Sequence, residues 1–227
     1  MTGLLDGLEV LHEHGFLHHD IKPANVLLGE DSCVKLADFG LARPAGGTIL
    51  TRPGIILGTP AYMAPEQTGR MNRSVDARSD LYSLGVCLYQ MASGRLPFQA
   101  RDPLEWVHCH VARQPFPLKE VPTTLGAIIL KLLAKEPESR YQTAAGLEAD
   151  LGKCLKQQLA GGAIGKFRLG RRDTNDRLLL TEVVCGRQAE LALLVETLER
   201  VTSRGSAELV LVSGPSGGGK STVMRQT

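Results

Sequence analysis

Leucines at positions 4, 8 and 11, with Leu5 beside them, recur at the three- and four-residue spacing of one helix face, so "MTGLLDGLEVLHEHG" predicts an amphipathic helix closed by Gly15. The pattern then shortens. "NVLL" and "CVKLAD" are brief β-like runs separated by the turn-forming "GEDS", which predicts a two-stranded hairpin with polar residues at its ends. From Ala42 to Met63 the chain is rich in Gly, Pro and Thr and has little periodicity, which predicts a long irregular loop of the kind that is commonly functional. Beyond Arg73 the helical period takes over. "DARSDLYSLGVCLYQMASG" is nearly all apolar or small after Asp80, as in a helix buried on most sides. "DPLEWVHCHVARQ" opens on a cap, Asp102, with Pro103 at the first helical position. "TTLGAIILKLLAK" carries Leu125, Ile128, Ile129, Leu132 and Leu133 on one stripe, and "AAGLEADLGKCLKQ" carries Leu147, Leu151 and Leu155. Four helices are expected between Asp80 and about Gln158, which makes residues 1–158 a mostly helical α+β domain.

The stretch "AGGAIGKFRLGRRDTNDRLLL" mixes glycines and charges without a clean period, so residues 159–184 are read as a linker. A second unit, residues 185–227, is read as the beginning of an α/β domain: "GRQAELALLVETLERV" is an amphipathic helix and "AELVLVSG" a short strand. That strand feeds "GPSGGGKS", Gly214 to Ser221, which matches the phosphate-loop pattern G-x-x-x-x-G-K-[ST]. In such a loop the backbone between Gly214 and Gly219 cradles nucleotide phosphates, Lys220 reaches the terminal ones and the Ser221 hydroxyl is a ligand for Mg²⁺.

Composition narrows the partners. Lysine plus arginine total 26 against 24 for aspartate plus glutamate, and a net charge of +2 supplies no field to draw nucleic acid or an anionic membrane. The five cysteines are odd in number and scattered, with no Cys-x-x-Cys pair, which implies neither a disulfide framework nor a zinc site and points to a reducing, cytoplasmic compartment. His108, Cys109 and His110 are adjacent, and adjacent side chains diverge in helix and strand alike, so they are not expected to converge on one ion. The longest apolar stretch, "LGAIILKLLAK", is broken by Lys131 and falls short of the ~20 residues of a membrane span. The first residues are acidic and lack the charged head of a signal peptide.

Chemistry concentrates in "HHDIKPANVLL", His18 to Leu28. Asp20 can accept a hydroxyl proton, Lys22 can offset charge growing on a transferred phosphoryl group, and the Asn25 amide oxygen is a hard donor suited to Mg²⁺. A second carboxylate, Asp38, stands at the end of the second hairpin strand in "LADFGLA", placed to reach the same metal.

"HHDIKPANVLL", then "DFG" from Asp38, then "GTPAYMAPE" at Gly58 to Glu66, then "SDLYSLG" around Asp80, in that order and spacing, resemble the C-terminal lobe of eukaryotic-type serine/threonine protein kinases. The resemblance implies that Asp20 is the catalytic base, that Lys22 contacts the transferred phosphoryl group, and that Asn25 and Asp38 hold Mg²⁺. It further implies ATP as cofactor, with Leu27 under the adenine ring, and a protein bearing a serine or threonine hydroxyl as partner. Phe39 and His18 would pack behind the metal site, and Thr59 would help seat the acceptor. Lys22 before Pro23, and Thr59 before "PAYMAPE", favour serine or threonine over tyrosine. Glu66 and Arg140 would form a buried ion pair, and Asp80 would brace the catalytic loop from beneath.

Two departures qualify the resemblance. His19 stands where the family usually has an arginine that receives an activation-loop phosphate, and a neutral imidazole is a much weaker phosphate partner, so activity is expected not to depend on phosphorylation of Thr48 or Thr51. No glycine-rich loop or strand lysine precedes Met1, so a chain of this extent is expected to bind ATP poorly by itself. The order of lobe, linker, "CGRQAEL", strand and phosphate loop is similar to the front of large bacterial signalling proteins, in which a serine/threonine kinase precedes an AAA- or STAND-type ATPase, sensor domains and a histidine kinase. The function implied is ATP-dependent phosphorylation of protein serine or threonine in signalling. The alternative is a pseudokinase or scaffold, or a regulatory lobe controlling the nucleotide-binding ATPase.

Overall fold

The leucine stripe folds as predicted into α1, Thr2–Glu13, in a computed structural model that describes residues 2–30, 33–45, 58–71, 73–173, 188–205 and 207–213. Leu4, Leu5 and Leu8 are buried and Leu11 is half-buried. The chain divides into two units, Met1–Asp176 and Arg177–Thr227.

In the first unit, β1 is Phe16–Leu17, β2 Val26–Leu28, β3 Val34–Leu36 and β4 Arg43–Pro44. The expected hairpin is β2–β3, antiparallel, with Val26 opposite Leu36 and Leu28 opposite Val34. A second ladder, which the pattern does not predict, pairs β1 with β4, Phe16 opposite Pro44. It fixes both ends of the 18–42 segment, so the residues between them are held as a closed loop.

The four expected helices are α2 Ala77–Ser93, α3 Pro103–Ala112, α4 Thr123–Leu132 and α5 Ala144–Leu159. The caps are local and legible. Asp76 accepts from the Arg78 amide, Asp102 from the Glu105 amide at 2.9 Å and Thr143 from the Gly146 amide at 3.0 Å. Every residue of α2 from Ser79 to Tyr89 is buried, so this helix is the axis of the core. It crosses α4 closely: a Cβ on Gly85 would lie 2.6 Å from Leu132 Cβ, and only glycine admits that approach.

In α5 the buried stripe runs through Leu147, Asp150 and Cys154, while Leu155 is 55% exposed, unlike the leucine series read from the pattern. The seven-residue spacing from 147 to 154 keeps one face, whereas 155 has turned about 100° past it.

The first part of the stretch read as a linker is not a free tether. Ile164, Phe167 and Leu169 pack on the core, Gly165 O accepts from Thr124 Oγ1 at 3.0 Å, and the Gly170 amide donates to Asp150 at 2.7 Å. Asp173 then accepts from the amides of Gln142 and Thr143 at 2.8 and 3.0 Å, at the start of α5. Alternating glycines disguise three apolar anchors, so the lobe continues past residue 158 to about 173.

The second unit contains α6, Gln188–Arg204, on the segment read as an amphipathic helix. Residues 207–213 form no strand, in contrast to the reading of "AELVLVSG". A strand is defined by its hydrogen-bonded neighbour, and none pairs with it among the described residues; Leu209 and Leu211 are 97% and 88% exposed. The phosphate-loop positions Gly214, Gly219, Lys220 and Ser221, with Cys185, Thr48 and Thr51, lie outside the described residues.

Candidate active site

The loop from His18 to Asn25 is shaped from below. Asp80, in the first turn of the buried α2, accepts from the amides of His18 and His19, both at 2.9 Å, and from His12 Nε2 at 2.9 Å. Burial alone would raise this carboxyl; the bond from His12 and the two amides outweigh it and hold Asp80 below the usual carboxylate range. The paired amide bonds force His19 into a left-handed conformation, φ 68°, which a non-glycine residue keeps only when its surroundings dictate it.

That twist presents Asp20. Its Oδ2 receives Lys22 Nζ at 2.6 Å and Asn25 Nδ2 at 3.3 Å, and its Oδ1 receives the Thr59 amide at 3.0 Å and the Thr59 hydroxyl at 2.8 Å. Lys22 Nζ also reaches Thr59 Oγ1 at 2.9 Å. Partial burial would raise the Asp20 carboxyl, but the hydrogen bonds from Lys22 and Thr59 prevail and lower it, so the group is ionised at neutral pH. Gly58 makes the approach of Thr59 workable: its φ is 102°, and a Cβ there would lie 3.1 Å from His19 O.

Asn25 is buried and its Nδ2 is engaged by Asp20 O at 2.8 Å, which turns Oδ1 away as an acceptor. The Asn25 backbone carbonyl accepts from the Ala37 amide at 2.9 Å, tying the loop to the residue before Asp38. Asp38 is exposed, at φ 63°, with Oδ1 accepting from the Gly40 amide at 3.3 Å. His18 Nε2 meets Ala37 O at 3.1 Å and its ring lies 5.1 Å from that of Phe39. Asp20, Lys22, Asn25 and Thr59 thus touch directly, while Asp38 is brought to them through backbone. Leu27 is 52% exposed on β2, an open apolar face. Asn25 Oδ1 and the Asp38 carboxylate are the hard oxygen donors that suit Mg²⁺. Among the described residues no three His, Cys, Asp or Glu converge for a metal, and His108 is exposed while Cys109 and His110 point inward.

His19 is held against Gln67, whose Nε2 lies 3.3 Å from His19 Nδ1 and 3.2 Å from its carbonyl. Burial first, then Arg43 and His18, lower its pKa against the opposing pull of Asp80, so the ring is neutral. Gln67 Oε1 also takes the Ala64 amide at 2.8 Å, which bridges the loop to the Thr59–Glu66 segment. The end of that segment is fixed by Glu66 and Arg140, both side chains fully buried, 2.7 and 2.9 Å apart at their paired atoms. His12 and Gln67 carry no motif signal, and only their spacing from the loop in three dimensions reveals them.

The protein kinase domain family matches residues 1–151, and the chain belongs to that family. It is similar to the serine/threonine-protein kinase PknB of Mycolicibacterium smegmatis, 42% identical over 150 residues, covering 63% of this chain and 24% of the relative. It is 40% identical over 176 residues to a probable serine/threonine-protein kinase of Streptomyces coelicolor, covering 74% of this chain and 26% of the relative. A hybrid signal transduction histidine kinase of Dictyostelium discoideum is 38% identical over 191 residues, covering 73% of this chain and 6% of the relative. The chain therefore spans only about a quarter of the length of the PknB relatives.

Proposed function

We propose that the protein transfers the γ-phosphoryl group of ATP to a serine or threonine hydroxyl of a protein, with Asp20 as the base that orients the hydroxyl and takes its proton. The observation that carries this reading is the ionised Asp20 carboxylate, held by Lys22 at 2.6 Å and by the Thr59 hydroxyl at 2.8 Å. A hydroxyl group already sits on Asp20, which is the contact an acceptor hydroxyl needs. Lys22 lies beside it to balance charge on the transferred group. Asn25 and Asp38 would hold Mg²⁺, which supplies neutralisation of phosphate charge when bound. Leu27 offers an apolar surface to the adenine ring. Family membership and the named relatives support the reaction class.

His19, neutral and engaged by Gln67, supports transfer that does not require a phosphate on Thr48 or Thr51. The second unit is read as the start of a P-loop ATPase on its sequence motif, with Gly214, Gly219, Lys220 and Ser221 holding ATP and Mg²⁺. The likeness to the Dictyostelium hybrid signal transduction histidine kinase supports a place in signal transduction. Scattered cysteines support a cytoplasmic site, and no described helix is long and apolar enough to cross a membrane.

The test is transfer of label from γ-labelled ATP to a basic protein by the protein expressed from its full reading frame. Mg²⁺-dependent label on serine and threonine is expected, abolished by a chelator. Label on tyrosine alone, or transfer indifferent to chelation, would refute the reading.

A further inference from the structure

His110, in the last turn of α3, is 1% exposed, and its Nε2 is the one fully buried side-chain nitrogen or oxygen among the described residues without a hydrogen-bond partner. Buried polar atoms are paired almost without exception, so this one requires a reason. The ring is held on every side. Trp106 stacks on it at 5.9 Å, Phe98 and Tyr82 meet it edge-on at 5.3 and 5.7 Å, and Nδ1 lies 2.9 Å from the Tyr82 hydroxyl. Lys135 Nζ fastens the helix end below, on the carbonyls of Cys109 and His110 at 3.1 and 2.8 Å.

The tautomer follows from these contacts. Among the described residues the buried Tyr82 hydroxyl has no acceptor but Nδ1, and donation to it leaves the ring proton on Nε2, on the side of the Pro60 and Ala61 acceptors. Burial, with Lys135 adding to it, pushes the His110 pKa down to about 4, and the ring is neutral at physiological pH. α3 packs on the Pro60–Tyr62 turn, and the backbone of Pro60 and Ala61 acts on the ring as hydrogen-bond acceptors do, yet neither meets Nε2 with full hydrogen-bond geometry. These two residues directly follow Thr59, which clamps Asp20. Hydrogen bonds around a reaction centre are often misaligned without substrate and tighten when it binds.

We propose that His110 is a positioning residue for the protein acceptor: Nε2–H closes on the Pro60 or Ala61 carbonyl when an acceptor engages the Thr59–Glu66 segment. It thereby sets affinity for the acceptor, while ATP binding and the transfer step are untouched. The proposal rests on the reading of Asp20 as the base and of Thr59 as part of the acceptor's seat.

Three substitutions separate the two ring nitrogens. His110→Gln places an amide near Nε2, His110→Asn places one near Nδ1, and His110→Phe keeps only the shape. With Mg-ATP and myelin basic protein as acceptor, the full-length enzyme should show an acceptor KM raised roughly tenfold in the Asn and Phe variants, the effect of about one hydrogen bond. The Gln variant should stay near wild type, and kcat and the KM for ATP should be unchanged throughout. Equal behaviour of all three variants, or a fall in kcat at constant KM, overturns the proposal.

A second measurement reads Trp106, which stacks on the imidazole: saturating acceptor protein should shift the part of the enzyme's emission that is lost in Trp106→Phe. An unchanged spectrum at saturation also overturns the proposal. Asp20→Asn serves as the separate control: turnover surviving that change refutes the kinase reading itself, whatever His110 does.

Discussion

Two carboxylate–cation pairs organise the first unit, and they differ in what they leave unspent. In the Glu66–Arg140 pair every donor is committed: Nε to Ala134 O, Nη1 to Glu66 and Arg78 O, Nη2 to Glu66 and Lys135 O. That is the full set of five guanidinium N–H groups. Glu66 Oε1 takes Ser79 Oγ as well, and Arg140 lies over the Tyr82 ring at 4.8 Å. The Asp20–Lys22 pair is just as short, at 2.6 Å, yet among the described residues Lys22 has two of its three ammonium N–H groups engaged, and 25% of its side chain is exposed. A saturated pair can only hold structure. A pair with a donor to spare and an open side can act on a third molecule, and this separates the anchor from the loop proposed as reactive.

The largest break in that comparison falls on the anchor's stability. Arg140→Met leaves Glu66 buried without a cation, and a buried pair that loses one partner costs about 3–5 kcal/mol. Chemical denaturation should show that loss, and a change below ~1 kcal/mol would mean that the pair is not the anchor. Gly85→Ala comes next. Its Cβ would sit 2.6 Å from Leu132 Cβ, so α2 and α4 must part, at a cost of about 1–3 kcal/mol read by thermal melting.

Smaller effects follow pH. Lys135 is pushed down to about 8 by burial and then by Arg140, while an unfolded lysine stays near 10.4. The folded state disfavours the cation, so the penalty is full below pH 8 and is relieved as pH rises from there toward 10.4. Cys87, pushed up to about 12 by burial, acts in the opposite sense over the same range. Lys135→Met should therefore remove a rising component, and the wild-type minus variant stability difference should grow more favourable to wild type from pH 8 to 10. A flat difference would contradict it. At the acid end, Asp20 and Asp80 are both depressed, so their contribution is present above about pH 4 and is lost as pH falls further.

Much of the reactive loop is legible in the sequence because its groups lie within eight residues and their order fixes which can meet. Asp80, Glu66 and Arg140 are legible by resemblance to the kinase pattern, and α2 is legible from its unbroken apolar run. His12, Gln67 and His110 are not, since each acts across long sequence separations and the direction of a single nitrogen depends on packing. The strap through Ile164, Phe167 and Leu169 is hidden because a chain without secondary structure has no period to betray what it covers. Residues 207–213 mislead in the opposite way, as an apolar run carries no information about whether a neighbouring strand will pair with it.

The most direct measurement compares the initial rate of phosphoryl transfer by Asp20→Asn and by wild type, with the melting transition recorded on the same samples. Asn keeps the size of Asp20 and its contacts to Thr59 but cannot accept the proton, so the rate should fall by about 10²–10⁴ with the melt changed by no more than a few degrees. A variant that transfers phosphate at the wild-type rate, or one that loses activity only because it unfolds, would contradict the assignment of Asp20 as the reactive carboxylate.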